Sequence, residues 1–486
     1  MLSMKPNPCT WLMGITIAVL ASMGTGHCAD HPNVMFILAE DQGAQAGYLG
    51  TPGLQTPNID GLARSGIHFT NAMVAYPVCS ASKAALYTGL HNHTNGILNN
   101  TYNYHKPAEQ VTPQERRRPL FRRNRIRDPY VTLTQILHDS GYFQGVTHKL
   151  HVLPNEKFPY DQFLHGGRGE IQRFIDTADQ SGRPWFLMVN IPHSHRPYPN
   201  SDKQAIRVDP NKVQPPSFLP ESEVIRKDWS EYLAAIEQTD HAVGEALDAL
   251  QQTGHTDDTL VVYLSDHGPT YQHGKMTLYD LGLRVPLIFR GPGVVRGQRS
   301  DALVSEVDLL PTLLKYCDID HTFDVPIHGQ SIASVVRGDT TSTGRENIYA
   351  EISDRGPLPN DGMQERMIFD GRMKLIYREN VDTGWRQVNA DSREFPKWGN
   401  RVYDETIRLK DRFPVAYRVL AEMDPQNLGG VVPKLELYDL STDPDELRNR
   451  IDDPKYHDDR ERLLSELTQW CRQTKDVSVT LGRTKP

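Results

Sequence analysis

Four runs of the chain are apolar at nearly every position: NVMFILA (33–39), WFLMVNI (185–191), LVVYLS (260–265) and VPLIF (285–289). None alternates cleanly between apolar and polar residues, so each reads as a strand buried on both faces. Segments with helical character lie between them, at 60–66, 132–141 and 230–254. Strand and helix alternate, which predicts a doubly wound α/β fold: a large, mostly parallel sheet with helices on both faces. After Gly344 the texture changes. RMIFDGRMKLIYR (366–378) reads as a hairpin with Asp370-Gly371 at its turn. LELYDLSTDPDELRN (435–449) reads as a strand, a loop and a helix cap, and 460–473 as an amphipathic helix. A catalytic α/β domain over 30–343 and a smaller C-terminal α+β domain with an antiparallel sheet over 344–486 are expected.

The first 29 residues stand apart. One charge, Lys5, precedes the apolar run WLMGITIAVLASMG (11–24), and small residues follow. The run is short for a membrane span, and the pattern predicts an export signal cleaved between Gly24 and Ala29. Periplasm, extracellular medium or lysosome would be the destination. No later segment is long and apolar enough for a stable membrane span. Cleavage removes Cys9 and Cys28 and leaves Cys79, Cys317 and Cys471, an odd number, so any disulfide leaves one thiol over. With 53 Lys and Arg against 61 Asp and Glu, the net charge is −8, and no nucleic-acid-binding motif is present. Nucleic acid is therefore excluded as a partner. Against that balance, seven arginines crowd RRRPLFRRNRIRDP (116–129). This segment reads as a solvated loop or as a patch that steers an anionic polymer.

Three of the strand ends carry acids or histidines. The first run ends in Glu40-Asp41, the second in Pro192-His193-Ser194-His195, the third in Asp266-His267-Gly268. Ligands of an open α/β sheet bind at the carboxyl ends of its strands, so a shared site accounts for all three. Glu40, Asp41 and Asp266 brought together repel one another unless a cation lies among them. Oxygen donors select Ca²⁺ or Mg²⁺, and His267 adds a nitrogen.

Lys149 and His151, two apart in GVTHKLH, fall on one side of an extended segment, and Lys275 follows the third strand. Lysines beside a metal and a nucleophile can hold a tetrahedral anion, and a histidine among them can pass a proton to a leaving atom. Cys79 opens CSASKAALYTG, a helix former with serines suited to capping, and Lys83 lies one turn on. The helix N-terminus favours an anion at residue 79.

These residues resemble the type I, formylglycine-dependent sulfatases of the alkaline-phosphatase superfamily. The family signature Cys-x-Pro/Ala-x-Arg stands here as CSASK before AALYTG. The other family motifs stand as His148-Lys149-Leu150-His151, PHSHRP, DHG and HGKMTLYDLGLRVPLI. The resemblance implies that a formylglycine-generating enzyme oxidises Cys79 to formylglycine during export. It implies one Ca²⁺ held by Glu40, Asp41, Asp266 and His267, with Lys83 and His151 orienting the hydrated aldehyde. Lys149, Lys275 and His195 would bind sulfate, and His195 or Lys275 would protonate the leaving group. His193 is the alternative strand-end histidine, and Arg196 a substrate contact. Two positions depart from the family pattern: Lys83 stands where arginine is usual, and Glu40 where aspartate is usual.

Within the family, CSASKAALYTGLHNHTNG, His195-Arg196 and Leu278-Tyr279 resemble the heparan N-sulfatase group. This implies N-sulfated glucosamine of heparan-type chains, or another sulfated carbohydrate, as substrate. Two other readings stay open: a two-metal phosphatase or phosphodiesterase of the same superfamily, drawing on His193, His195 and His273, and a catalytically silent sulfated-glycan-binding relative.

Overall fold

The computed structural model describes residues 31–198, 208–353, 363–381 and 401–482. The expected export signal lies outside these residues. Eight strands form one sheet: β1 (Asn33–Ala39), β2 (Ile67–Met73), β3 (Phe143–Thr147), β4 (Gln162–Leu164), β5 (Trp185–Ile191), β6 (Thr259–Ser265), β7 (Leu287–Arg290) and β8 (Gln298–Ser305). Their order is β4-β3-β5-β1-β6-β7-β2-β8. The pairs among β4, β3, β5, β1 and β6 are parallel, as is β2 with β8, and β7 runs antiparallel to both neighbours.

The continuous apolar runs have the cause inferred from sequence. In β1, Val34, Phe36 and Leu38 face one core, with the helices Cys79–Thr88 and Leu133–Asp139 and the helix Leu309–Tyr316. Met35, Ile37 and Ala39 face another, with the helices Pro57–Ser65, Arg168–Ser181 and Glu223–Thr253. Both faces of the strand are dry, so no polar position interrupts it.

The second sheet is antiparallel, in the order β12-β11-β10-β9, from β9 (Ile348–Ile352), β10 (Gln364–Phe369), β11 (Met373–Glu379) and β12 (Leu435–Asp439). The turn between β10 and β11 falls at Asp370-Gly371: Gly371 takes φ 99°, and the Asp370 carboxylate accepts from the Arg372 and Met373 amides. The helix His457–Gln473 covers this sheet through Leu463, Leu467 and Trp470. One expectation fails. The Asp443 carboxylate accepts from the Leu447 and Arg448 amides as a cap would, but the next α-helix begins only at residue 457, after a 3-10 turn at Pro454–Tyr456.

Register aligns the ends of the three central strands. Ala39 lies opposite both Ile191 and Ser265, so Glu40, Pro192 and Asp266 leave the sheet side by side. The Glu40 amide donates to Ile191 O, the Asp266 amide to Ala39 O, and the Asp41 amide to Asp266 Oδ1 at 2.9 Å. Gly268 is required by close approach, because a Cβ there would lie 1.7 Å from Leu281 O.

Candidate active site

Cys79 is the first residue of a ten-residue helix whose side chains are all buried. Its Sγ lies 3.1 Å from His267 Nε2 and 3.4 Å from Lys275 Nζ. The serines of the signature do not cap the helix. Ser80 Oγ accepts from the Thr101 amide, the Ser80 amide donates to Asn100 Oδ1, and Ser82 Oγ donates to Glu306. These bonds strap Asn100, Thr101 and Glu306 onto the first turn and fix the position of residue 79.

Asp41, Cys79, Asp266 and His267 each offer a ligand atom within 4.8 Å of the others. Two details fit this set to a divalent cation. His267 Nδ1–H donates to Gly268 O, which turns Nε2 toward the cluster as the ring's ligand atom. Asp266 Oδ2 is buried with no hydrogen-bond partner, an arrangement that costs free energy unless a cation meets it. Burial would lower the His267 pKa, but Asp266 and Cys79 outweigh it and lift the value to about 9. Burial would raise Asp41, yet His195, Lys275 and His267 hold it well below the usual carboxylate range.

Glu40 sits beside this group rather than in it. Both its oxygens are occupied, Oε1 by Lys83 Nζ at 3.5 Å and Oε2 by Lys149 Nζ at 2.8 Å. Against burial, these two cations keep Glu40 well below the normal carboxylate range. Lys83 also donates to Asn190 Oδ1 at 2.8 Å. Asn190 escaped the sequence reading, although its signal was present: it is the one polar residue in WFLMVNI. The two departures from the family pattern, Glu40 and Lys83, are thus in direct contact.

Lys149 and His151 reach the site by another route than strand alternation. β3 ends at Thr147, and His148 and His151 take left-handed φ of 54° and 52° in the loop that follows. Asp41, His273 and Met276 also have positive φ, so strained backbone gathers around the cluster. His151 Nε2–H donates to Thr101 O, while its buried Nδ1 has no partner. Burial, with Lys149 and Lys83 nearby, pushes His151 well below the ordinary imidazole range, so it is neutral. Lys275 Nζ lies 2.9 and 3.0 Å from the two Asp41 oxygens.

The strand-end histidines diverge. His195 is close enough to interact electrostatically with Asp41, Lys275, Lys149 and Glu40; Asp41 raises its pKa, but Lys275, burial and Lys149 outweigh that and lower it. His193 is exposed, within electrostatic reach of His148, Glu245 and His241. Arg196 does not present its guanidinium to a ligand. It is buried in an ion pair with Asp228, with its guanidinium 4.3 and 4.8 Å from the rings of Tyr198 and Tyr271. His273, wanted for a second metal, stacks on Tyr279 at 3.7 Å. The arginine run is not a plain loop: Pro113–Arg116 and Pro119–Arg123 are short helices anchored by buried Phe121 and Ile126. Arg116 pairs with Glu156 and Arg125 with Asp128, while Arg117, Arg118, Arg122 and Arg123 are exposed.

The family model described as Sulfatase matches residues 32–172 and 168–319, well over half of the chain. The chain belongs to the sulfatase family. It is therefore a sulfuric ester hydrolase, and the cluster at the ends of β1, β5 and β6 is its candidate active site. A second model, N-sulphoglucosamine sulphohydrolase, C-terminal, matches residues 268–410. Human N-sulphoglucosamine sulphohydrolase is 26% identical over 499 residues, covering 93% of each chain. An ulvan-active sulfatase of Formosa agariphila is 25% identical, covering 92% of this sulfatase and 82% of its own length. The solved structure of BT4656 with its substrate D-glucosamine-2-N,6-O-disulfate shares the fold, with a TM-score of 0.62 at 18% identity over 94% of this chain and 100% of that one. Among the described residues no helix is long and apolar enough to cross a membrane, and Cys79, Cys317 and Cys471 are free and buried.

Proposed function

We propose that this sulfatase removes the N-sulfate of glucosamine in heparan-type glycans, using formylglycine made from Cys79 and one Ca²⁺. The observation that carries the reading is Cys79 itself. It stands at the N-terminus of a buried helix, with His267 and Lys275 against its sulfur and the unpartnered Asp266 oxygen in the same group. An inert structural thiol needs none of these neighbours. The C-terminal family model and the human relative support N-sulfated glucosamine as the sugar.

Cys79 Sγ marks where the oxygens of the hydrated aldehyde would stand. One hydroxyl of that hydrate would attack sulfur, and deprotonation of the other would re-form the carbonyl and expel sulfate. Asp41, Asp266, His267 and residue 79 would hold the ion, which supplies Lewis acidity when bound. Glu40 would act mainly by fixing Lys83 and Lys149. His151, neutral and with Nδ1 unpartnered, has a lone pair free to accept from a residue-79 hydroxyl. Lys149 and Lys275 would bind the three sulfate oxygens and neutralise charge that grows on them. His195 would give its proton to the departing nitrogen, so that the N–S bond breaks to a neutral amine. The N-terminal 29 residues would direct export, where the formylglycine-generating enzyme meets the unfolded chain. The catalytic and C-terminal portions would divide near residue 343.

The test is sulfate release from an oligosaccharide ending in N-sulfoglucosamine, alongside the same sugar bearing only a 6-O-sulfate and a phosphate ester. Preferential release from the N-sulfate supports the reading. Preferential turnover of the phosphate ester would replace it with the phosphatase alternative.

A further inference from the structure

The helix that begins at Cys79 ends at Gly89, roughly 15 Å away at its rise per residue. Just beyond that far end a cavity of about 560 Å³ opens between His91, His93, Tyr130 and His328 on one side and the end of the helix His457–Gln473 on the other. It is separate from the Cys79 cluster and has no part in the chemistry above.

Among the described residues its lining carries no carboxylate, in a chain of net charge −8. Three cations line it: Arg127, Arg345 and Lys475. Arg345 is neutralised by buried Asp308. Arg127 is not: its guanidinium donates to the main-chain oxygens of His93 and Thr94, both at 3.0 Å, and enters no ion pair among the described residues. Lys475 is exposed, held at φ 58° just past the helix, and also unpaired. Two uncompensated cations therefore converge on one concave surface. Glu351 lies behind the wall rather than in it, with His93 Nδ1–H donating to its carboxylate at 2.8 Å. His93 Nε2, in that wall, is buried and has no partner.

Rings form much of the remaining surface. Trp470 stacks on Tyr349 with centroids 4.8 Å apart and meets His91 and His93 edge-on. A single tetrahedral anion needs no such wall. A cavity of this size suits a small organic ligand, and cations beside rings suit a sugar that carries an anionic group. A metal is the poorer occupant. His93, Glu351 and Asp476 come together, but the Arg366 guanidinium already lies between the two acids.

We propose that this cavity is a second saccharide-binding site, which takes a sulfated or carboxylated sugar residue remote from the scissile group. That the sugar belongs to the polymer being desulfated rests on the function proposed above; the binding itself does not.

Calorimetry on the Cys79→Ala protein, with a heparin-derived tetrasaccharide and with inorganic sulfate, tests it. Two tetrasaccharides should bind per chain, falling to one in Cys79→Ala/Arg127→Gln/Lys475→Glu. Lys475→Glu alone, which alters only an exposed side chain, should weaken the second event at least about fivefold, the weight of one charge contact. Arg127→Lys should retain it. Stoichiometry that ignores Arg127 and Lys475 would overturn the proposal. So would inorganic sulfate that displaces the tetrasaccharide at equal concentration, which would leave an anion site without sugar recognition. If the wild-type enzyme releases no sulfate from the saccharide while binding still responds to Lys475→Glu, the substrate reading fails and the second site stands.

Discussion

Glu40 and Lys83 should behave as one unit. Each departs from the residue usual at its position, the acid longer by one methylene and the base without the planar fork of arginine. Because Lys83 Nζ reaches Glu40 Oε1 at 3.5 Å, the two departures are proposed to compensate each other. At the effective dielectric that suits buried pairs, a contact of this length is worth about 5 kcal/mol of gross Coulomb energy. Desolvation consumes much of it, and neighbouring buried groups typically couple by about 1–3 kcal/mol. Glu40→Asp alone should draw the carboxylate back from both lysines. Lys83→Arg alone forces a larger group into a site where the lysine is 1% exposed and already bonded to Asn190. Such overpacking costs about 1–3 kcal/mol. Each single variant should therefore lower kcat/KM by roughly ten- to a hundredfold, at about 1.4 kcal/mol per decade. In Glu40→Asp/Lys83→Arg the shorter acid makes room for the longer base. The double variant should recover most of the loss, with a coupling of at least about 1 kcal/mol. The assay is steady-state hydrolysis of an aryl sulfate and of N-sulfoglucosamine by all four proteins, with formylglycine content measured by mass spectrometry to correct for conversion. Losses that add to within about 0.5 kcal/mol would refute compensation.

Cys79→Ala should abolish turnover and leave thermal unfolding nearly unchanged, and the residue-79 peptide from the native host should carry formylglycine; unmodified cysteine there would end the mechanism. Arg196→Ala should cost about 1.5–3 kcal/mol of stability, because buried Asp228 loses one of its two arginine partners and keeps only Arg401 and the Tyr271 hydroxyl, whereas a substrate contact would raise KM and spare the melting temperature. Burial and the nearby lysines outweigh Asp41 and hold His195 below its ordinary value, so its acid form is populated only as pH falls below that range. With His195 as proton donor, kcat should rise toward acidic pH and lose that limb in His195→Ala; an unchanged profile would transfer the role to Lys275. His255 is lifted to about 9 by Asp258 and Asp179, so its stabilising contribution is complete below about pH 6.5 and fades as pH rises through 9. After discounting for partial exposure, His255→Gln should cost about 1 kcal/mol at pH 6 and little at pH 10, as read by denaturant melts.

The parts of the fold legible in the sequence were those where one physical cause acts alone. β1, β5 and β6 were readable because both faces are dry. The Asp370-Gly371 turn was readable because a left-handed glycine and an acid that caps it leave a short signature. β2 was not, since IHFTNAM mixes burial with exposure and owes its place to β7 and β8, which lie more than two hundred residues away. The same division runs through the site. Strand register alone carries Glu40, Asp41 and Asp266 to one edge, so their convergence could be inferred. The positions of Lys149 and His151 depend on left-handed backbone in a loop, which periodicity does not report.

Charged residues near a site are the hardest to assign, because a motif gives a side chain's neighbourhood and not its partner. Arg196 and His195 are adjacent in sequence, yet one is consumed by Asp228 while the other faces Asp41. Glu40 and Asp41 are likewise adjacent, and Glu40 holds Lys83 and Lys149 while Asp41 holds Lys275 and also joins the ligand group. In each pair the deciding fact is which opposite charge lies within reach, and those charges come from distant segments: Asp228 from the long helix Glu223–Thr253, Lys83 from the helix Cys79–Thr88, Lys149 from the loop after β3. A replacement at such a position is therefore judged against its partner. Lys83 seen alone is a weakened arginine; beside Glu40 and Asn190 it is a base cut to the length of its acid, and the double variant decides between these two descriptions.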